Sequence, residues 1–307
     1  MTPPARASRR RPYGPYARYV PYAFLFPFAL LFALFFILPI GYALHQSLFQ
    51  ARHSGLGFGA PVITFSGLAN YVDVVHDSVF WSGVGRVFLY GVVSIPVMLG
   101  LSLILALLMD SATVRFRPFL RLVFFAPYAV PGIVAALLWG FFYNPILSPI
   151  VKTAQALGLG SPNFLSTETV LWAIANISVW QWAGYNMLII FAGLQSISPE
   201  LYEAAAIDGC TGFKLARYVK IPLVAPTIVL TAIFSIIGTL QLFTEPLVMR
   251  SISTAVSTNY TPNLYAYHTA FGNNNYHYAA AMAALLAVFT FVLSFGLLRA
   301  SQRYSGL

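Results

Sequence analysis

The sequence predicts an all-α integral membrane protein with six transmembrane helices, and three observations carry that expectation. Of 307 residues, 59% are hydrophobic and 8% charged, with a mean hydropathy of +0.75; an ordinary soluble domain carries about 25% charged residues. The few charges are also segregated: the runs 22–44, 87–109, 122–143, 169–194, 223–244 and 278–298 contain no Lys, Arg, Asp or Glu. Each has the roughly 20 residues that a helix rising about 1.5 Å per residue needs to cross the hydrocarbon. Six buried helices of a soluble protein would need a charged shell that this composition lacks.

The third observation is the placement of the basic residues, which are retained on the cytoplasmic side near the ends of spans. With the N-terminus inside, the cytoplasmic segments hold Arg6, Arg9, Arg10, Arg11, Arg18, Arg115, Arg117, Arg121, Lys214, Arg217, Lys220, Arg299 and Arg303, thirteen in all. The outer segments hold four: Arg52, Arg86, Lys152 and Arg250. Both termini are therefore expected in the cytoplasm of a multi-pass protein of a bacterial-type inner membrane. The net charge of +9 is mostly this topology signal, and no groove-reading module accompanies it to suggest nucleic acid.

Taken in order, residues 1–21 form a basic, Pro- and Tyr-rich cytoplasmic tail. Span one (22–44) is too long for the 7 to 15 residue core of a signal peptide and is read as uncleaved. An outer segment of about 40 residues follows, its aromatic residues expected at the membrane surface. Span two is 87–109, loop 110–121 is short and basic, and span three is 122–143. The outer loop 144–168 is broken by Pro145, Pro149 and Pro162. Span four is 169–194, span five 223–245 and span six 278–298, with a cytoplasmic tail at 300–307. Pro27, Pro39, Pro96, Pro127, Pro131 and Pro226 fall within spans, which implies kinked helices packed against protein. The lone Cys210 excludes an intrachain disulfide.

The cytoplasmic loop 195–222 differs from the others. Ser198-Pro199-Glu200 can open a helix with a capping hydroxyl, proline at the first position and an acid near the positive end of the dipole. Leu201 to Ile207 continue it, Gly209 permits a turn, and Phe213 to Val219 can form a second helix before Pro222 starts the next span. Such a loop is either a solvated, alanine-rich connection or a docking element for a cytoplasmic partner.

Glu203-Ala204-Ala205, Gly209 six residues after the glutamate, and Val219-Lys220-Ile221-Pro222 after nine more residues resemble the EAA loop of ABC importer permeases. Gly67-Leu68-Ala69-Asn70-Tyr71, Pro127-Tyr128-Ala129-Val130-Pro131 and Pro262-Asn263-Leu264-Tyr265 are similar to segments of the carbohydrate-uptake, maltose and glycerol-phosphate type of binding-protein-dependent permease. Arg86-Val87 stands where many relatives have Asn-Thr. The resemblance runs from about span one to the C-terminus. It implies the type I importer permease architecture, with a coupling helix formed by Glu203, Ala204, Ala205, Asp208, Gly209 and Pro222 that meets an ATPase subunit. It also implies the partners: a second homologous permease subunit as heterodimer, two ATPase subunits, and an extracytoplasmic solute-binding protein. ATP and Mg would be bound by the ATPase, with no cofactor on this chain.

The chain has no Gly-x-x-x-x-Gly-Lys-Ser/Thr phosphate loop, since Lys152, Lys214 and Lys220 do not follow glycine. His45, His53, His76, His268, His277 and Cys210 show no metal-ligand spacing, and no hydrolase motif marks a catalytic residue. Energy is therefore expected from a separate subunit. A route through the membrane should show as polar side chains within spans. Ser178, Gln181, Trp182 and Tyr185 share a helical face in span four with Asn186 flanking, and Gln241, Thr244 and Glu245 cluster near the outer end of span five. They suit a sugar, whose ring faces stack on aromatics while its hydroxyls need partners; the other reading is polar glue between helices. An ion-coupled secondary transporter is the alternative, with Glu245 its one buried candidate, and a non-transporting scaffold would leave the loop at 195–222 unexplained. Oligosaccharide, monosaccharide, polyol and glycerol phosphate all remain open as substrate.

Overall fold

The computed structural model describes residues 19–52, 62–111 and 114–305. Most of the expected N-terminal tail, with Arg6, Arg9, Arg10, Arg11 and Arg18, lies outside the described residues, as do His53 and the last two residues of the chain. Among the described residues the chain is mostly helical, with five helices long and apolar enough to cross a membrane, and six spans when a bent pair is taken as one.

The first span is one continuous helix, Val20–Gln46. It comprises α1 (Val20–Phe32), a π-helical turn (Ala33–Ile37) and α2 (Leu38–Gln46), with Pro27 and Pro39 flanking the turn. None of its side chains is buried within the chain. It is fastened at its outer end, where His277 Nδ1 lies 3.0 Å from the Gln46 carbonyl. A two-stranded antiparallel ribbon follows, β1 (Phe49–Arg52) and β2 (Val62–Phe65), with Phe49 opposite Phe65. Asn70, at the start of α3 (Ala69–His76), donates its amide to the carbonyls of Ser47 and Phe49 at 2.7 Å each.

The second span is α4 (Ser78–Asp110), and its helix begins nine residues before the expected 87. Asp77 caps it, accepting from the backbone N–H of Val79 and Phe80. Arg86 is accommodated inside this helix because it donates to the Tyr260 carbonyl at 2.8 Å and to Ser82, and stacks on the Tyr260 ring. A charge answered in this way does not have to lie outside a helix, so the charge-free run understated its length.

The third span is broken rather than continuous. The helix α5 (Arg117–Phe125), a 3₁₀ turn (Ala126–Ala129) and α6 (Gly132–Tyr143) bend by 95°. Pro127 and Pro131 bracket the break, where each removes a backbone donor. The short outer helix α7 (Pro149–Ala156) starts at Ser148, whose hydroxyl accepts from Val151 N–H.

The fourth span, α8 (Val170–Gln195), is the centre of the molecule and packs along α4. Ile174, Ile177, Met187, Ile190 and Leu194 are fully buried on it. Ser102 of α4 donates to the Ala183 carbonyl at 2.8 Å, and Tyr143 of α6 donates to the Ala173 carbonyl at 3.0 Å. Gly184 brings α8 against the end of α5 so closely that an added Cβ would sit 1.8 Å from the Phe124 carbonyl oxygen.

After α9 (Pro199–Ile207), a helix starts at Gly212 and runs without interruption through α10 (Gly212–Leu215), a π-helical turn (Ala216–Lys220) and α11 (Ile221–Leu240). The expected separate helix before Pro222 is therefore the first part of the fifth span. Proline at the second position of α11 is tolerated because the preceding turn is already π-helical and has a different hydrogen-bond ladder. The helix stops at Leu240, whose carbonyl accepts from Asn263 at 2.9 Å. Two short helices, α12 (Thr244–Met249) and α13 (Pro262–Phe271), lead to the sixth span, α14 (Tyr276–Ser305).

Candidate functional site

Two regions bear on function, a cavity among the spans and the cytoplasmic loop. The cavity has a volume of about 340 Å³. Tyr90, Ser94 and Met98 of α4 form one wall, Ser178, Trp182, Tyr185 and Asn186 of α8 another, and Ser235, Thr239, Gln241, Thr244 and Glu245 of the fifth span and its end the third. Helical spacing explains the α8 set, since 178, 182 and 185 recur at intervals of four and three. The Tyr90 hydroxyl lies against those of Ser178 and Ser94. Glu245 is the only Asp, Glu, Lys or Arg among the lining residues, and it stands in the first turn of α12.

Of the residues singled out in sequence, Ser178, Trp182, Tyr185, Asn186, Gln241, Thr244 and Glu245 come together here. Gln181 does not face the cavity. It is buried, and its side-chain amide donates to the Val130 carbonyl at 2.7 Å, on the break in the third span. Tyr90 and Ser94 were not singled out, although both are polar side chains within a charge-free span. Tyr128 was not assigned a site role either. Its ring stacks on Tyr185 with centroids 4.6 Å apart and meets Trp182 edge-on at 5.2 Å, so the break in the third span carries an aromatic cluster to the rim of the cavity. The signal was present as a tyrosine between two prolines.

The loop helix α9 begins at Ser198, which has the extended backbone of a cap, although its hydroxyl makes no capping bond. Pro199 and Glu200 occupy the first turn as expected. The helix closes on Gly209, whose φ is +75°. Cys210 N–H bonds to the Ala205 carbonyl at 2.8 Å and Gly209 N–H to Ala206 at 3.1 Å, the paired closure of a Schellman end. Glu203, Ala204, Asp208 and Gly209 are exposed and Ala205 is half-buried; Pro222, in the helix that follows, is also exposed. Ile207 and Phe213 flank the turn at 87% and 82% exposure. Two large apolar side chains beside a small-residue helix form a surface suited to a protein partner. On the other side, Tyr202 donates to the Leu194 carbonyl at 3.3 Å and anchors α9 to the end of α8. Burial, and then the charge of Asp110, raise the Tyr202 phenol pKa, so it remains a neutral donor.

Residues 98–305 match the family model described as binding-protein-dependent transport system inner membrane component. The chain is 32% identical to a probable ABC transporter permease, YurN, of Bacillus subtilis, over 85% of this chain and 90% of that one. It is 31% identical to the lactose transport system permease LacF of Rhizobium radiobacter, over 83% and 86%. Among solved structures, a bacterial ABC transporter involved in import of the acidic polysaccharide alginate superposes with a TM-score of 0.80, at 21% identity, over 94% of this chain and 97% of that one.

Proposed function

The chain belongs to the family of binding-protein-dependent transport system inner membrane components, and from that premise we propose that it carries a sugar or sugar-like solute inward through the cavity between α4, α8 and α11. It is a transport permease subunit of the inner membrane, and this membership favours ATP-driven import over ion-coupled secondary transport. The sugar reading draws on the cavity, where tyrosine, tryptophan, hydroxyl and amide groups alternate. It agrees with the lactose transport system to which the relative LacF belongs.

The observation that carries the coupling mechanism is the exposed α9 with its Schellman closure at Gly209 and its apolar neighbours Ile207 and Phe213. Glu203, Ala204, Ala205, Asp208 and Gly209 present this helix to a partner ATPase that holds ATP and Mg, and Pro222 lies within the continuous helix that relays its motion. Small residues allow close approach, while Glu203 and Asp208 answer basic groups on the partner. The reading sets a second permease subunit against this face, where Trp182 is 41% exposed beside the cavity. Solute delivered by the extracytoplasmic binding protein is held between the two subunits and released inward as the ATPases close and open. Co-purification of the chain with two ATPase copies, a second permease and a sugar-loaded binding protein is the expected result, and a stable, transport-competent complex without an ATPase contradicts the reading.

A further inference from the structure

The cytoplasmic ends of three spans meet at a single carboxylate. Asp110 ends α4, and its side chain is only 8% exposed. One carboxylate oxygen accepts from the side-chain amide of Gln195, the last residue of α8, at 2.7 Å. The other forms an ion pair with Lys220, whose side chain is 14% exposed and stands at the entry to α11. The same ammonium lies 5.2 Å from the centroid of the Tyr202 ring, and Tyr202 belongs to α9. Asp110, Lys220, Gln195 and Tyr202 therefore link α4, α11, α8 and the loop helix through one point.

Desolvated ion pairs are poor sources of net stability, and their best-attested use is to fix registry between elements. The two side chains are largely withdrawn from water, and each has a further partner, the Gln195 amide for Asp110 and the Tyr202 ring for Lys220. The residues joined to it lead directly to the cavity: α4 carries Tyr90 and Ser94, α8 carries Ser178 and Trp182, and the fifth span carries Ser235 and Thr239.

We propose that the Asp110–Lys220 pair is the strut through which movement of α9 reaches the walls of the cavity. The inference rests on the coupling role given to α9 above. When a partner displaces α9, Tyr202 shifts beneath the Lys220 ammonium, and Asp110 distributes the displacement to α4 and α8. Without the pair, α9 moves while the spans do not follow as a unit. Asp110 and Lys220 are positioning residues and touch no solute.

The test uses the assembled importer in nanodiscs, with a reporter cysteine placed in the cavity wall as Ser235→Cys in a Cys210→Ser background. The rate of N-ethylmaleimide labelling is measured with and without MgATP and vanadate, together with ATP hydrolysis and the thermal midpoint of the complex. In Asp110→Asn and Lys220→Met the nucleotide-dependent change in labelling should shrink at least about tenfold, the scale of one charge-assisted contact, while hydrolysis continues and the complex stays assembled at the assay temperature. Lys220→Arg should retain the change. An undiminished change in both Asp110→Asn and Lys220→Met overturns the strut, as does its loss in Lys220→Arg with a fallen thermal midpoint, which marks a merely structural pair. Glu203→Lys separates the two ideas: if it abolishes the change while the strut variants keep it, only the strut fails. If Glu203→Lys itself keeps the full change, the coupling role of α9 fails and the strut with it.

Discussion

Gln181 and Val130 are joined across the membrane interior: the glutamine amide of α8 donates to the valine carbonyl at 2.7 Å, at the point where the third span breaks. Val130 is extended between the 3₁₀ turn and α6, so its carbonyl falls outside the helical ladder and the glutamine satisfies it. The same bend presents Tyr128 to Tyr185 and Trp182.

Gln181→Leu leaves that carbonyl unpaired, at a cost of about 1–3 kcal/mol. The thermal midpoint of the detergent-solubilised complex should fall, and uptake should fall with it. Tyr185→Ala should instead impair uptake while assembly is preserved. Equal stability losses in both variants, or wild-type uptake by Tyr185→Ala, would remove the distinction between a residue that holds the bend and one that meets the solute.

Two glycines should respond differently to the same substitution. Gly184→Ala drives a methyl group to 1.8 Å from the Phe124 carbonyl oxygen and must push α8 from α5, an overpacking cost of about 1–3 kcal/mol or more. Gly209→Ala meets no atom within 4 Å and should cost about 1 kcal/mol for its positive φ alone. Membrane yield and thermal midpoint should therefore fall much further for Gly184→Ala, and the reverse order would contradict the packing described.

The number of spans and the loop at 195–222 were legible because charge exclusion and the Glu-Ala-Ala to Gly spacing are local in sequence. The Schellman end at Gly209 needed only a glycine after a helix-forming run. What escaped was set by neighbours distant in the chain. Arg86 reads as a loop residue until the Tyr260 carbonyl is found beside it. Gln181 and Tyr185 share a helical face, yet only the structure separates them, because the bend at 130–131 claims one and the cavity the other. Asp110 was counted as the start of a loop, since nothing near it in sequence announces Gln195 or Lys220.

Topology can be checked with the native thiol. Cys210 lies at the turn after α9 and is half-buried. An impermeant maleimide should fail to label it in right-side-out vesicles and should label it after permeabilisation; efficient labelling without permeabilisation would invert the orientation.

Asp77 should make the outer face sensitive to acid. Burial pushes its carboxyl pKa up, but the hydroxyls of Tyr278 and Tyr265, each 2.9 Å away, and the N–H groups of Phe80 and Val79 outweigh burial and hold it below the usual value of 3.8. A depressed folded pKa contributes stability above the unfolded pKa and loses it as pH falls through the folded one. The complex should lose thermal stability as pH drops below about 4, and Asp77→Asn should be less stable at neutral pH with a flatter acid profile. An acid profile identical to wild type would show that the carboxylate contributes nothing there.

The central claim is that α9 couples an ATPase to the spans, and the most direct measurement is solute uptake together with ATP hydrolysis in proteoliposomes containing the complete importer and its loaded binding protein. Glu203→Lys reverses the exposed charge proposed to meet the partner, and a charge-assisted contact is worth about 1.5–3 kcal/mol; Gly209→Arg adds both strain and bulk at the turn. Both variants should insert and assemble, yet lose uptake and the stimulation of hydrolysis by the loaded binding protein by roughly tenfold or more. Normal uptake with normal stimulated hydrolysis in both variants would contradict the coupling role of this helix.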